Sequence, residues 1–136
     1  MLRRLIRTLI RTERGQAMVE TALVMPIVLL LLFGMLDAGR IFHAWIIVTN
    51  GAREGVRAAS TQQDEATIEA RIDASLGSID GCNVGATTCT LTNVRGQSGE
   101  PVSVEVETIV TMVTPLISDI FGVDVPVSST TTMMLE

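Results

Sequence analysis

The sequence predicts an α+β protein, in which a long N-terminal transmembrane helix continues into a small extracytoplasmic head with a short antiparallel sheet. Three observations carry this. Residues Thr21–Leu36 are apolar apart from the first. Five of the ten arginines (Arg3, Arg4, Arg7, Arg11, Arg14) lie ahead of that run. Beyond it, a four-residue apolar period gives way to two-residue alternation, the change from helix to strand. Three parts follow: a basic leader over 1–15, a transmembrane and long helix over 16–60, and an α+β head over 61–136.

The membrane segment is read first. Sixteen residues fall short of the roughly 20 that a bilayer core requires. The span becomes long enough if Ala38, Ile41, Phe42, Ala44, Trp45, Ile46, Ile47 and Val48 extend it. Asp37 and Arg40 then stand on neighbouring turns of one face, where each offsets part of the other's charge. His43 and Trp45 suit the outer interface, where amphipathic rings settle. Pro26 lacks a backbone N–H and is expected to kink or loosen the helix. Only Arg53 and Arg57 follow within about 20 residues of the segment, so the arginine imbalance places the N-terminus in the cytoplasm and exports the rest.

Charge excludes a nucleic-acid partner. Without residues 1–15 the chain carries five arginines against fourteen carboxylates, and such a surface repels phosphate. The basic cluster is an address. Catalysis lacks a constellation as well: there is one histidine, His43, no tyrosine, no phosphate-binding glycine loop, and no Ser-His or Cys-His pairing. No cofactor is implied.

Between leader and span lies Arg14-Gly15-Gln16-Ala17-Met18-Val19-Glu20-Thr21. Glu20 is a lone carboxylate at the edge of an apolar helix, and an ionisable group there needs a partner. Cleavage after Gly15 would free a cationic amine on Gln16, able to pair with Glu20 of an adjacent subunit. Gly15 would also let an extended backbone enter a protease cleft without side-chain clash. The stretch from Arg14 to Glu20, the apolar block, Asp37-Ala38-Gly39-Arg40 and Thr49-Asn50-Gly51-Ala52-Arg53-Glu54-Gly55-Val56-Arg57 together resemble the TadE-like family, pseudopilins of the tight-adherence (Flp) pilus machinery. The likeness covers about residues 14–60 closely. It implies processing after Gly15 by a prepilin peptidase and an assembly role for Glu20. It also implies other pilins, pseudopilins and a pilus assembly platform as partners in the inner membrane, alongside the lipid bilayer. An uncleaved single-pass anchor whose head binds an extracytoplasmic partner is the alternative. A cleaved secretory signal fits less well, because Leu36-Asp37-Ala38 lacks the small residue that its −3 position needs.

Small residues recur at intervals of four. Gly34 and Ala38 would admit another helix, whereas Gly51, Gly55 and Ala59 should pack against the head. Arg53, Glu54 and Arg57 form a solvated face. Thr61–Asp64 ends the long helix. Ile68, Ile72 and Leu76, four apart, predict a second helix over Ala66–Leu76, with Gly77 as its stop. Cys82 and Cys89 fall in a Gly-, Asn- and Thr-rich stretch, where export makes a disulfide the first reading, two free thiols the second and a metal the last. Val102, Val104 and Val106 alternate with Ser103, Glu105 and Glu107, the pattern of a half-buried strand within Pro101–Val113. Thr88–Val94 can pair with it, and Val123–Leu135 supplies a third strand. Pro115–Phe121 reads as a short apolar-faced helix or an Ω-like excursion.

Overall fold

The computed structural model describes residues 13–114, 119 and 122–136. The arginines of the leader before Glu13 and most of the Pro115–Phe121 excursion lie outside the described residues. Helix α1 runs unbroken over Glu13–Ser60, through Pro26. Helix α2 covers Glu65–Leu76. Strands β1 (Thr88–Thr92), β2 (Pro101–Thr111) and β3 (Asp124–Met134) form one antiparallel sheet in the order β1-β2-β3.

The second helix starts where local chemistry supplies a cap. The Asp64 carboxylate accepts the Thr67 N–H at 3.2 Å and the Thr67 hydroxyl at 2.7 Å, covering one of the donors that a helix start leaves unpaired. The hydroxyl bond, ahead of the N–H bond, holds the Asp64 carboxyl below its ordinary range despite some desolvation. Gly77 ends the helix with φ +55°, in the left-handed region, its N–H reaching the Asp73 carbonyl. Ile68, Ile72 and Leu76 are all buried.

Helix α2 folds back along α1, and the contact depends on missing side chains. A Cβ on Gly51 would come within 3.1 Å of Leu76 Cδ2, and one on Gly55 within 2.8 Å of Ile72 and 3.0 Å of Val104 Cγ1. Gly55 therefore sits where helix, helix and sheet converge. Val48, Ala52, Val56 and Ala59 extend that buried stripe of α1, while Arg53 and Arg57 remain exposed on the opposite side.

The sheet packs lengthwise on α1. Val102, Val104 and Val106 are fully buried, and Ser103, Glu105 and Glu107, which alternate with them, are partly exposed. At ~3.3 Å per residue β2 is about 36 Å long. From Asp37 to Ser60, α1 covers about 35 Å at ~1.5 Å per residue. The matched lengths let bonds form at both ends. At one end the Glu136 N–H donates to the Ser60 carbonyl at 3.0 Å, and the Gly99 N–H donates to the Leu135 carbonyl at 2.9 Å. At the other, the end of β2 meets α1 at Asp37 and Arg40.

This arrangement alters one expectation. The face of α1 that carries Ala44 and Val48 is buried in the head, with Ile41 and Ile47 partly so. Residues 41–48 therefore do not lengthen the lipid span as an all-round apolar helix: they supply one stripe of the head's core. What is apolar and exposed on every side ends at Leu36.

Candidate functional site

Helix α1 is the only described element long and apolar enough to cross a membrane, and its most apolar window has no buried residue. Gly15 and Gln16 occupy its first turn and Glu20 its second, all exposed. Among the described residues Glu20 makes no ion pair. The Thr21 hydroxyl bonds back to the Ala17 carbonyl at 2.8 Å, so it is satisfied within the helix and offers nothing to the carboxylate.

Asp37 follows the last exposed apolar residue of the span and is 2% exposed. Its Oδ1 accepts the Val113 N–H at 3.1 Å, and its Oδ2 accepts the Thr114 N–H at 2.9 Å. Arg40 Nη1 lies 3.6 Å from Asp37 Oδ1 and donates to the Thr111 carbonyl at 2.9 Å. One turn of helix thereby grips the backbone at 111, 113 and 114 as the sheet ends. The carboxylate satisfies two N–H groups that have left the strand ladder, and the guanidinium satisfies a carbonyl. The sequence offered Arg40 as the partner of Asp37. The closer partners are backbone groups of 113 and 114, and backbone donors leave no side-chain signature. The one available signal was a carboxylate at the end of an apolar helix, which needs more than one partner in surroundings that hold little water.

Cys82 and Cys89 are joined by a disulfide, Sγ–Sγ 2.03 Å. It ties the loop after α2 to β1. Asp73 Oδ1, on α2, accepts the Cys82 N–H at 2.6 Å in the same place, and the Thr87 and Thr108 hydroxyls meet at 3.1 Å in the buried layer beneath. No group of three or more metal-binding side chains occurs among the described residues.

The described residues thus define a class of protein in which one long, membrane-anchorable helix carries a small α+β head. Residues 15–57 match the model of the family described as TadE-like protein. The match begins at Gly15 and ends at Arg57, so it covers the span, the Asp37–Arg40 turn and the glycine-bearing half of α1. No curated protein and no solved structure matches the chain.

Proposed function

We propose that this chain is a pseudopilin inserted in the inner membrane with its N-terminus in the cytoplasm, processed after Gly15 by a prepilin peptidase, and used in assembling a tight-adherence pilus or related secretion fibre. The observation that carries the reading is the family match to residues 15–57, with its first residue at the glycine of the junction. The chemistry of the junction supports it. Cleavage converts a neutral peptide nitrogen into the ammonium of Gln16, one turn below Glu20. A carboxylate at a lipid boundary is costly unless paired, and the amine of a neighbouring subunit supplies the pair. Residues 1–15 then act as the leader, 16–60 as stem and 61–136 as exported head.

The N-terminal sequence of protein purified from membranes and from sheared fibres tests this. Chains beginning at Gln16 are expected in both. Gly15→Ala should slow leader removal, and Glu20→Leu should insert normally yet lower fibre yield, because only the pairing between subunits is lost. Native, functional protein that retains Met1 would replace this reading with an uncleaved anchor whose head binds a partner.

A further inference from the structure

The end of the head nearest the membrane span exposes large apolar side chains from two separate parts of the chain. Val113 is 65% exposed and Val123 56%, flanking the β2–β3 connection. Phe42, Trp45 and Ile46 project from α1, each more than half exposed. The two groups lie at neighbouring heights along the helix. The Val113 N–H is bonded to Asp37, the residue after Leu36, and the Met112 N–H is bonded to the Val123 carbonyl at 2.7 Å. An apolar groove runs between Phe42 and Trp45 on α1 and Val125 and Pro126 on β3, next in sequence to Val123.

A length argument sets this end against the bilayer. A hydrocarbon core about 30 Å thick takes roughly 20 helical residues. Counted from Thr21, just past the Glu20 carboxylate, it closes near Arg40. Asp37 then lies about 5 Å inside the acyl boundary at ~1.5 Å per residue. The backbone of 113 and 114, bonded to it, is drawn to the same depth. Phe42, Trp45 and Ile46 fall a few ångströms above, in the headgroup layer that favours amphipathic rings.

The opposite end of the head is chemically different. There Gln62, Arg95, Gln97, Ser98, Glu100 and Glu136 are at least partly exposed around Met134. On α1 the exposed positions above Ile46 change to Asn50, Arg53 and Arg57. Large exposed apolar side chains of α1 and of the facing ends of β2 and β3 thus gather at the span-proximal end, while Met133 and Met134 stand exposed at the other. A protein partner of fixed shape would draw apolar surface to one side, whereas a lipid boundary draws it to one level.

We propose that the span-proximal end of the head is a lipid-binding surface, seated in the headgroup layer of the leaflet from which α1 emerges. Val113, Val123, Phe42 and Trp45 touch the upper acyl chains, and the Asp37 clamp is held below the membrane surface. The proposal rests on the membrane-anchored reading of α1, and its test separates the two.

The full chain is reconstituted in vesicles of phosphatidylethanolamine and phosphatidylglycerol. Nitroxide labels are placed singly through Val113→Cys and Val123→Cys, with Leu31→Cys as the lipid reference and Gln97→Cys as the water reference, keeping the native disulfide oxidised. Collision with oxygen, which concentrates in lipid, is compared with collision with a nickel chelate, which stays in water. Labels at 113 and 123 are expected to resemble that at 31. If 31 itself reports water, the anchor reading fails and the docking falls with it. If 31 reports lipid while 113 and 123 match 97, the head stands clear of the membrane and the proposal is overturned. Shielding of 113 and 123 from both reagents overturns it too, in favour of a protein partner on this end. A second measurement needs no substitution, since Trp45 is the sole tryptophan. Its emission in the unmodified protein should be blue-shifted and lose intensity with lipids brominated near the top of the acyl chain. Emission that ignores those lipids would overturn the proposal.

Discussion

The two halves of α1 share one backbone and one apolar character, yet they bury their apolar residues in opposite ways. From Met18 to Leu36 the side chains are mostly large (leucine, valine, methionine, isoleucine and phenylalanine), and nearly all are exposed. From Asp37 to Ser60 the inward positions are small (Ala44, Gly51, Ala52, Gly55, Ala58, Ala59) with valine between, and nearly all are buried. The first half needs a solvent of hydrocarbon. The second half makes its own core by letting other elements approach. Residue volume and interleaved charge, more than hydropathy, tell the two environments apart.

The sharpest way to break the second half without touching the first is Gly55→Leu. Its Cβ alone would stand 2.8 Å from Ile72, before three further carbons are added. Overpacking of this kind costs about 1–3 kcal/mol and sometimes more, so chemical denaturation in detergent should show a much weakened head. Gly39, where an added Cβ would meet nothing within 4 Å, is the control: Gly39→Leu should leave the midpoint nearly unchanged or raise it, since leucine is the better helix former.

Replacing both cysteines by serine comes next. Closing a loop this short is worth about 2–3 kcal/mol in the chain-entropy account. The same denaturation experiment should show that loss, while insertion of α1 stays normal.

Asp37→Ala addresses the join between the halves. It strands the Val113 and Thr114 N–H groups, and buried donors without acceptors are costly. Amide exchange at 113 and 114 should quicken by about tenfold or more, with the β2 ladder from Val102 to Val106 unaffected.

The smallest effect is that of acid on α2. Asp64 has a lowered folded-state pKa, chiefly from its bond with the Thr67 hydroxyl. The cap's contribution is therefore full above the unfolded value of about 3.9. It is lost as pH falls through the lower, folded value. Asp64→Ala should flatten the stability profile in that acid window and leave neutral-pH insertion alone.

Much of the fold was legible because its signals are periodic. The steps from Ile68 to Leu76 gave α2 to within a residue of its start, with Gly77 as its stop. The valine alternation from 102 to 106 gave β2 and its buried face. Thr88–Val94 and Val123–Leu135 each bracket an observed strand. The spacing of Gly51, Gly55 and Ala59 gave the close approach of the head. The Asp37 clamp was half legible. Its carboxylate and its arginine neighbour are in the sequence, but the main-chain groups at 111, 113 and 114 could belong to any residue types. The same limit explains the span. Ile41, Ala44 and Val48 look alike whether lipid or a β-sheet covers them, and only the packed structure assigns them to the sheet.

The fastening of β2 and β3 to α1 at two points about 35 Å apart has a mechanical consequence. A sheet pinned at one end could pivot; pinned at both, through the end of β2 at Asp37 and Arg40 below and through Glu136, just past β3, at Ser60 above, it acts as a splint. Torque or lift applied to the stem passes to the crown of the head without slack, and a stem that turns carries the head around with it.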